Sequence, residues 1–318
     1  MDTQNAHEVA RRLTGEMAKA VVGQEDAVEH MVVALLAGGH ALLEGVPGTA
    51  KTLMARALAA IGGAHFRRIQ FTPDLMPSDV IGVNVYNTVT GVFSFRPGPL
   101  FADLLLADEI NRAPPKTQAA LLEAMEERQA TVDGTAYALS PIFTVFATQN
   151  PVEFEGTYPL PEAQLDRFLL KVKVDYPAEA VETHILDRVE AGFDANDLAT
   201  ASLAVVTDVP TLQDLRRAVR AVHTEESVRR YVTRIVRATR TLPACSLGAS
   251  PRAAVMLLLA AKAHAVIAGR AFVTPDDVKD MAFPVLRHRL LLTPEEEVEG
   301  RSTDDCIREL LLGIEAPR

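Results

Sequence analysis

Three things are scarce in this sequence, and each scarcity removes a class of function. Only two cysteines, Cys245 and Cys306, occur in 318 residues, far apart and without CxxC or Cys/His ligand spacing. Neither a disulfide framework nor a zinc site is expected, and a reducing compartment is. No apolar run reaches the roughly 18 residues that a membrane span needs, and Met1-Asp2-Thr3-Gln4 lacks the basic and apolar regions of a signal peptide. A cytoplasmic protein without a membrane span is therefore the expectation. Positive charge is also in deficit: 32 Lys and Arg face 42 Asp and Glu, for a formal net charge of −10 and a pI of about 5.3. That balance favours solubility and disfavours broad binding along a nucleic-acid backbone. Internal repeats and low-complexity segments are absent as well.

What is present is organised around Gly45-Val46-Pro47-Gly48-Thr49-Ala50-Lys51-Thr52. The apolar run Ala41-Leu42-Leu43 before it reads as a buried strand, and Leu53 to Ala59 after it has a helix pattern. A strand, a Gly-rich turn and a helix make a phosphate cradle, in which loop N–H groups and the helix N-terminus stabilise phosphate oxygens. Gly45 to Leu53 is the candidate phosphate-binding segment. Lys51 reaches the terminal phosphates and Thr52 offers a hydroxyl to Mg²⁺. The spacing departs from the general P-loop because Ala50 stands where its last glycine is usual. Ala50 must adopt an angle that an L-residue tolerates, or carry strain of about 1–2 kcal/mol.

The length suggests two domains. Asn5 to Ala20 and Gln24 to Gly38 have helical spacing, and between them Val21-Val22-Gly23-Gln24 is either a base pocket around Val22 or a simple turn. Alternation on both sides of Asn87 to Gly91 predicts a β-hairpin over about 83–98, and Asp133-Gly134 marks a second over about 129–141. Leu104 to Ala107 is a continuously apolar strand ending in Asp108-Glu109. Since ligands sit at the carboxyl ends of strands in open α/β sheets, both acids belong beside the phosphate loop. Asp108 is the candidate for holding Mg²⁺ through water and Glu109 for polarising the attacking water; alone, such a pair is more often a helix cap or a solvated edge. Ile142 to Thr148 is another buried strand ending in Gln149-Asn150-Pro151, where Asn150 could position the lytic water and Asn-Pro could equally be a turn starter.

Leu169 to Val174 is the last strand expected in the sheet, and strand signals vanish after Pro177. The division is therefore 1–176, an α/β nucleotide-binding core, and 177–318, a helical domain. Its helices are expected over 178–191, 211–222, 225–241, 251–268, 274–289 and 302–312, with Thr274-Pro275 a well-formed start. Arg230, Arg234 and Arg237 share a face that reads as solvated, against the alternative of a contact with a neighbouring subunit or nucleic acid.

These residues resemble the AAA+ ATPases and, within them, the MoxR family, over nearly the whole chain. The features that carry the resemblance are Gly45 to Thr52 with its alanine, Phe95-Arg96-Pro97-Gly98-Pro99, Ala107 to Arg112, Ala147 to Pro151, Leu160 to Phe168, Ser250 to Ala253 and Thr274 to Val278. The resemblance implies a five-stranded parallel αβα sandwich with a smaller helical lid, assembled as a homo-oligomeric ring, commonly a hexamer, with ATP between subunits. It implies that Asn150 is sensor 1, that Arg252 is sensor 2 on the lid and touches the γ-phosphate, and that Arg167 is the arginine finger offered to the neighbour's ATP, with Arg112 as second candidate. The hairpins would be inserts that grip a client, with a von Willebrand factor A domain protein as adaptor. Three other readings remain open: a nucleotide-gated scaffold with little turnover, a chelatase-type subunit and a nucleic-acid motor.

Overall fold

A computed structural model describes residues 1–89, 91–150 and 156–317. Thr90, in the first expected hairpin turn, and Pro151, in the expected Asn-Pro turn, lie outside the described residues.

Five strands form one parallel sheet: β1 (Ala41–Glu44), β2 (Phe66–Gln70), β3 (Leu104–Asp108), β4 (Thr144–Gln149) and β5 (Leu170–Lys173), in the order β2-β3-β4-β1-β5. The three central strands are buried almost throughout, while the edge strands β2 and β5 mix buried with accessible residues. That contrast explains their sequences, because a strand covered on both faces must be apolar without alternation. Side chains still divide by face. Leu104 and Leu106 join the core that contains the helices Thr3–Ala20, Glu25–Ala37 and Lys51–Ile61, whereas Leu105 and Ala107 join the one under Pro115–Glu127. The fold is thus the expected αβα sandwich, with a helical region after it.

The two hairpins are antiparallel pairs, Gly82–Asn87 with Val92–Pro97 and Gln129–Val132 with Thr135–Ala138. They are stapled together by Phe95 stacked on Tyr137 at 4.1 Å and by Asn84 donating to Asp133 at 2.7 Å. The boundary expected near Asp175 falls between β5 and the helix Glu179–Glu190. Later helices run Val209–Ala221, Glu226–Ala238, Pro251–Ile267, Pro275–Leu286 and Thr303–Gly313. Thr274 caps its helix with a reciprocal Asp277 contact. These helices do not stand apart: Tyr231, Leu257 and Val285 share one apolar core with Leu13, Met17 and Leu35.

One expectation is corrected. Strand structure does not end at Pro177, since Cys245–Leu247 pairs antiparallel with Leu291–Leu292; a ladder of two or three residues is too short to leave a periodic signal. Cys245 and Cys306, distant in sequence, share a small buried cluster with Ala244 and Leu292. Both are free thiols, and burial pushes them up, Cys245 to about 11, which leaves them unreactive near neutral pH.

Candidate functional site

The phosphate loop leaves the carboxyl end of β1 and enters the helix Lys51–Ile61. Its backbone is set by two requirements. At Gly45 a Cβ would stand 2.2 Å from the carbonyl oxygen of Val174, so no side chain fits between the loop and the end of β5. Gly48 has φ +85° and Ala50 φ +61°, both left-handed. Ala50 therefore takes the strained alternative, at roughly 1–2 kcal/mol, and turns the chain into the helix. Lys51 folds over the loop: its Nζ donates to the carbonyls of Gly45 at 2.7 Å and Val46 at 2.6 Å and to Thr49 Oγ1 at 3.3 Å. Burial lowers its pKa, with Asp108 and Glu109 pulling the other way.

A cavity of about 360 Å³ opens over this loop, and Gly45, Pro47, Gly48, Thr49, Ala50, Lys51, Thr52 and Leu53 all line it. Asp108, Glu109 and Asn150 line the same cavity. They arrive there because β4 runs parallel beside β1 and β3 parallel beside β4, so all three strands end on the same side of the sheet. Asn150 is buried, at 9% exposure. Glu109 has φ +57°, a left-handed angle for a side chain that the turn aims at the cavity; such strain in a non-glycine residue concentrates at working sites. Val46 is in the loop but not among the lining residues, and Val22 is not among them either. Next to Val22, Gly23 packs on Val181 and Pro177, and Gln24 donates to the Asp175 carbonyl at 2.8 Å.

The acids are held by residues the sequence reading did not single out. Thr148 Oγ1 donates to Asp108 Oδ1 at 2.6 Å and accepts from the Glu109 N–H at 2.8 Å, so one hydroxyl fixes both. Arg68 donates to the other Asp108 oxygen at 2.7 and 3.0 Å, and Gln70 donates to Glu109 at 2.7 Å. Nothing local in the sequence gives the register that pairs Gln70 with Asp108. Arg56, Ala195 and Asn196 also line the cavity, with Arg56 donating to the Asn196 carbonyl at 3.0 Å. No sequence signal links that loop to the site.

The three arginines separate. Arg112 lies against its own chain's Glu109, at 3.4 Å. Arg167 and Arg252 do not line the cavity; they meet each other on Glu126, Arg167 at 3.0 Å and Arg252 on the other carboxylate oxygen. Asp166, next to Arg167 in the chain, binds Arg289 at 2.7 Å. Two residues far apart in the chain thus present their guanidiniums together, away from their own phosphate loop.

The residues present fit a Mg²⁺-nucleotide. The loop offers the close backbone approach and the cation that a polyphosphate needs. Thr52 and Asp108 are only two oxygen donors, which suits Mg²⁺, an ion that keeps waters and takes phosphate oxygens as its other ligands.

Comparison with known proteins agrees. Residues 40–170 match the family described as ATPase family associated with various cellular activities (AAA), and residues 237–310 match the AAA lid domain. The chain is 42% identical to Chaperone MoxR1 of Mycobacterium tuberculosis, over 95% of this chain and 81% of that one. It is 33% identical to Protein MoxR of Methylorubrum extorquens, over 98% and 96%, and 45% identical to the uncharacterized protein YeaC of Bacillus subtilis, over 99% and 97%. Among solved structures, a putative ATPase from Cytophaga hutchinsonii superposes with a TM-score of 0.91 at 40% identity, covering 99% of this chain and 97% of that one. With the phosphate loop, the paired acids and the lid all in place, the chain belongs to the MoxR family of AAA+ ATPases.

Proposed function

We propose that the protein binds ATP with Mg²⁺ on the loop Gly45 to Leu53 and hydrolyses it at a site completed by a neighbouring subunit in a homo-oligomeric ring. The observation that carries this is the single cavity joining Lys51, Thr52, Asp108, Glu109 and Asn150. Loop N–H groups and Lys51 bind the β- and γ-phosphates. Thr52, and Asp108 through water, would hold Mg²⁺, which would supply charge neutralisation on the phosphate oxygens. Glu109, held by Gln70, orients and polarises the attacking water, while Asn150 holds that water or the γ-phosphate in line.

Arg167 and Arg252 act in trans. Their common position on Glu126 supports this, because neither lines its own cavity and both are offered from one place. An arginine of this kind is worth about 10³–10⁵ in rate, so assembly gates hydrolysis. Arg112, beside its own Glu109, fits a role within the chain better than a trans role. Val22 would border the adenine side.

The work done is remodelling or maturation of a client protein, in keeping with the chaperone naming of a relative and with exposed Tyr86, Val89, Val92 and Phe93 on the first hairpin. Family likeness supports a von Willebrand factor A domain partner and a cytoplasmic location. Glu109→Gln should retain ATP binding and lose turnover by about 10² or more, whereas Lys51→Ala should lose binding. If Glu109→Gln hydrolyses ATP like wild type, the assignment of the water-activating residue is wrong, and a client interaction indifferent to Glu109→Gln but lost in Lys51→Ala would favour the nucleotide-gated scaffold.

A further inference from the structure

At the amino-terminal ends of β1 and β4, the end of the sheet away from the phosphate loop, lies a second cavity of about 340 Å³. Four arginines line it: Arg128 from the end of the helix Pro115–Glu127, and Arg216, Arg217 and Arg220 from the helix Val209–Ala221. Among the described residues no carboxylate lines it. In a chain of net charge −10 this concentration of one sign runs against the whole.

The cations are poorly neutralised. Arg216 is only 8% exposed, yet it donates to neutral acceptors: the carbonyls of Leu35 at 2.8 Å, Pro141 at 3.2 Å and Ile142 at 2.9 Å, and Thr144 Oγ1 at 2.6 Å. Arg128 donates to the carbonyls of Phe143 and Gly38. Among the described residues only Arg217 of the four has an acid, Asp214, one turn away. Arg220 is exposed, and its guanidinium has no hydrogen-bond or ion-pair partner among the described residues. Ser140, also on the cavity wall, gives its hydroxyl to Asp103, whose other oxygen accepts from the His65 N–H, so that carboxylate is engaged behind the wall.

Carbonyl oxygens at the end of the helix Glu25–Ala37 hold a guanidinium in place without cancelling its charge. Burial together with the Arg128 and Arg220 charges brings Arg216 down to about 9, and burial with Arg220 lowers Arg128. Buried charges are ordinarily paired. Here the counter-charge is missing from the wall, and the opening is large enough to admit one.

We propose that this cavity is a second, non-catalytic anion site that takes the pyrophosphate-class group of an inorganic polyphosphate or a nucleotide. Orthophosphate is a poorer match, because with Asp214 offsetting Arg217 three positive charges remain, close to the charge of a diphosphate. Planar guanidiniums suit phosphate oxygens through paired, charge-assisted hydrogen bonds. The site is independent of hydrolysis: a chain that never turned over ATP would still bind here.

The test is isothermal titration of the full-length Lys51→Ala chain, in which the phosphate loop is disabled, with sodium pyrophosphate and, separately, with ADP. Pyrophosphate should bind at one site per chain. Arg220→Gln added to Lys51→Ala should weaken it about tenfold or more, and Arg217→Gln should weaken it less. The exposed Arg12→Gln, which removes the same charge elsewhere, should leave it unchanged. Since Arg217 and Arg220 are both exposed, neither substitution threatens the fold. ADP binding more tightly than pyrophosphate, with the same Arg220 dependence, identifies a nucleotide as the source; pyrophosphate binding the tighter identifies the inorganic anion. Loss of all pyrophosphate binding in Lys51→Ala, or equal effects of Arg220→Gln and Arg12→Gln, overturns the proposal.

Discussion

Replacing Thr148 by valine asks how much of the catalytic geometry depends on one hydroxyl. Thr148 is 2% exposed, and valine preserves its shape while removing a donor to Asp108 at 2.6 Å and an acceptor for the Glu109 N–H at 2.8 Å. A hydrogen bond to a carboxylate is worth about 1.5–3 kcal/mol, and leaving a buried N–H unpaired costs about 1–3 kcal/mol. Arg68 still holds the far oxygen of Asp108, and Gln70 still holds the Glu109 side chain, so the acids should shift without leaving the cavity. Displacement of a reacting group by about 1 Å can cost around 10² in rate. We therefore expect kcat for ATP to fall about 10- to 100-fold, with nucleotide affinity within about threefold of wild type because the phosphate loop is untouched. Thr148→Ser, which keeps the hydroxyl, should recover most of the rate. Steady-state phosphate release and equilibrium binding of a fluorescent nucleotide separate the two effects. A Thr148→Val enzyme with kcat within twofold of wild type would show that the hydroxyl does not organise the acids.

Two further outcomes follow from the structure. Glu126→Gln should lower the protein concentration for half-maximal ATPase activity by about two- to fivefold, because each exposed ion pair that the arginines must leave is worth about 0.2–1 kcal/mol; an unchanged or higher midpoint argues against that carboxylate restraining them. Stability should peak near pH 6–7, as read from urea midpoints across pH. On the acid side, burial holds His30 at about 4, His40 at about 3 and His288 well below its ordinary value, so the unfolded chain takes up protons first and stability is lost as pH falls below about 6.5. On the alkaline side, hydrogen bonds to Asp277 and Glu29 raise His264 to about 9, so its contribution is complete below about 6.5 and is lost as pH rises through 9. His264→Gln should flatten the alkaline limb alone; an alkaline limb that survives in that variant contradicts the assignment.

The parts of the site that were legible in the sequence share one property: their chemistry is local. Gly45 to Thr52 is a strand, a turn and a helix start in one uninterrupted stretch, and Asp108-Glu109 ends a strand whose continuous apolar character fixes its place in the middle of the sheet. What was not legible is lateral. Thr148 reads as one more strand residue until β4 is laid beside β3, and Gln70 reaches Glu109 only because β2 pairs with β3 in the register that sets Gln70 against Asp108. Arg167 and Arg252 gain their meaning from Glu126, an exposed helix residue with no pattern of its own. The arginine cavity escaped notice for the same reason: the Arg230 to Arg237 stripe stands out in the text, whereas Arg128 and Arg216 come together only in three dimensions. Sequence distance likewise concealed the meeting of Cys245 and Cys306.

The central claim is that each active site is shared between two subunits. The most direct measurement is steady-state ATP hydrolysis against protein concentration for wild type, Glu109→Gln, Arg167→Ala and an equimolar mixture of the two variants. Specific activity should rise with concentration, each variant alone should be nearly inactive, and the mixture should regain activity, because a subunit with intact Glu109 can then receive Arg167 from its neighbour. Flat specific activity, with Arg167→Ala hydrolysing like wild type, would mean that one chain holds a complete site, and the ring reading would be wrong.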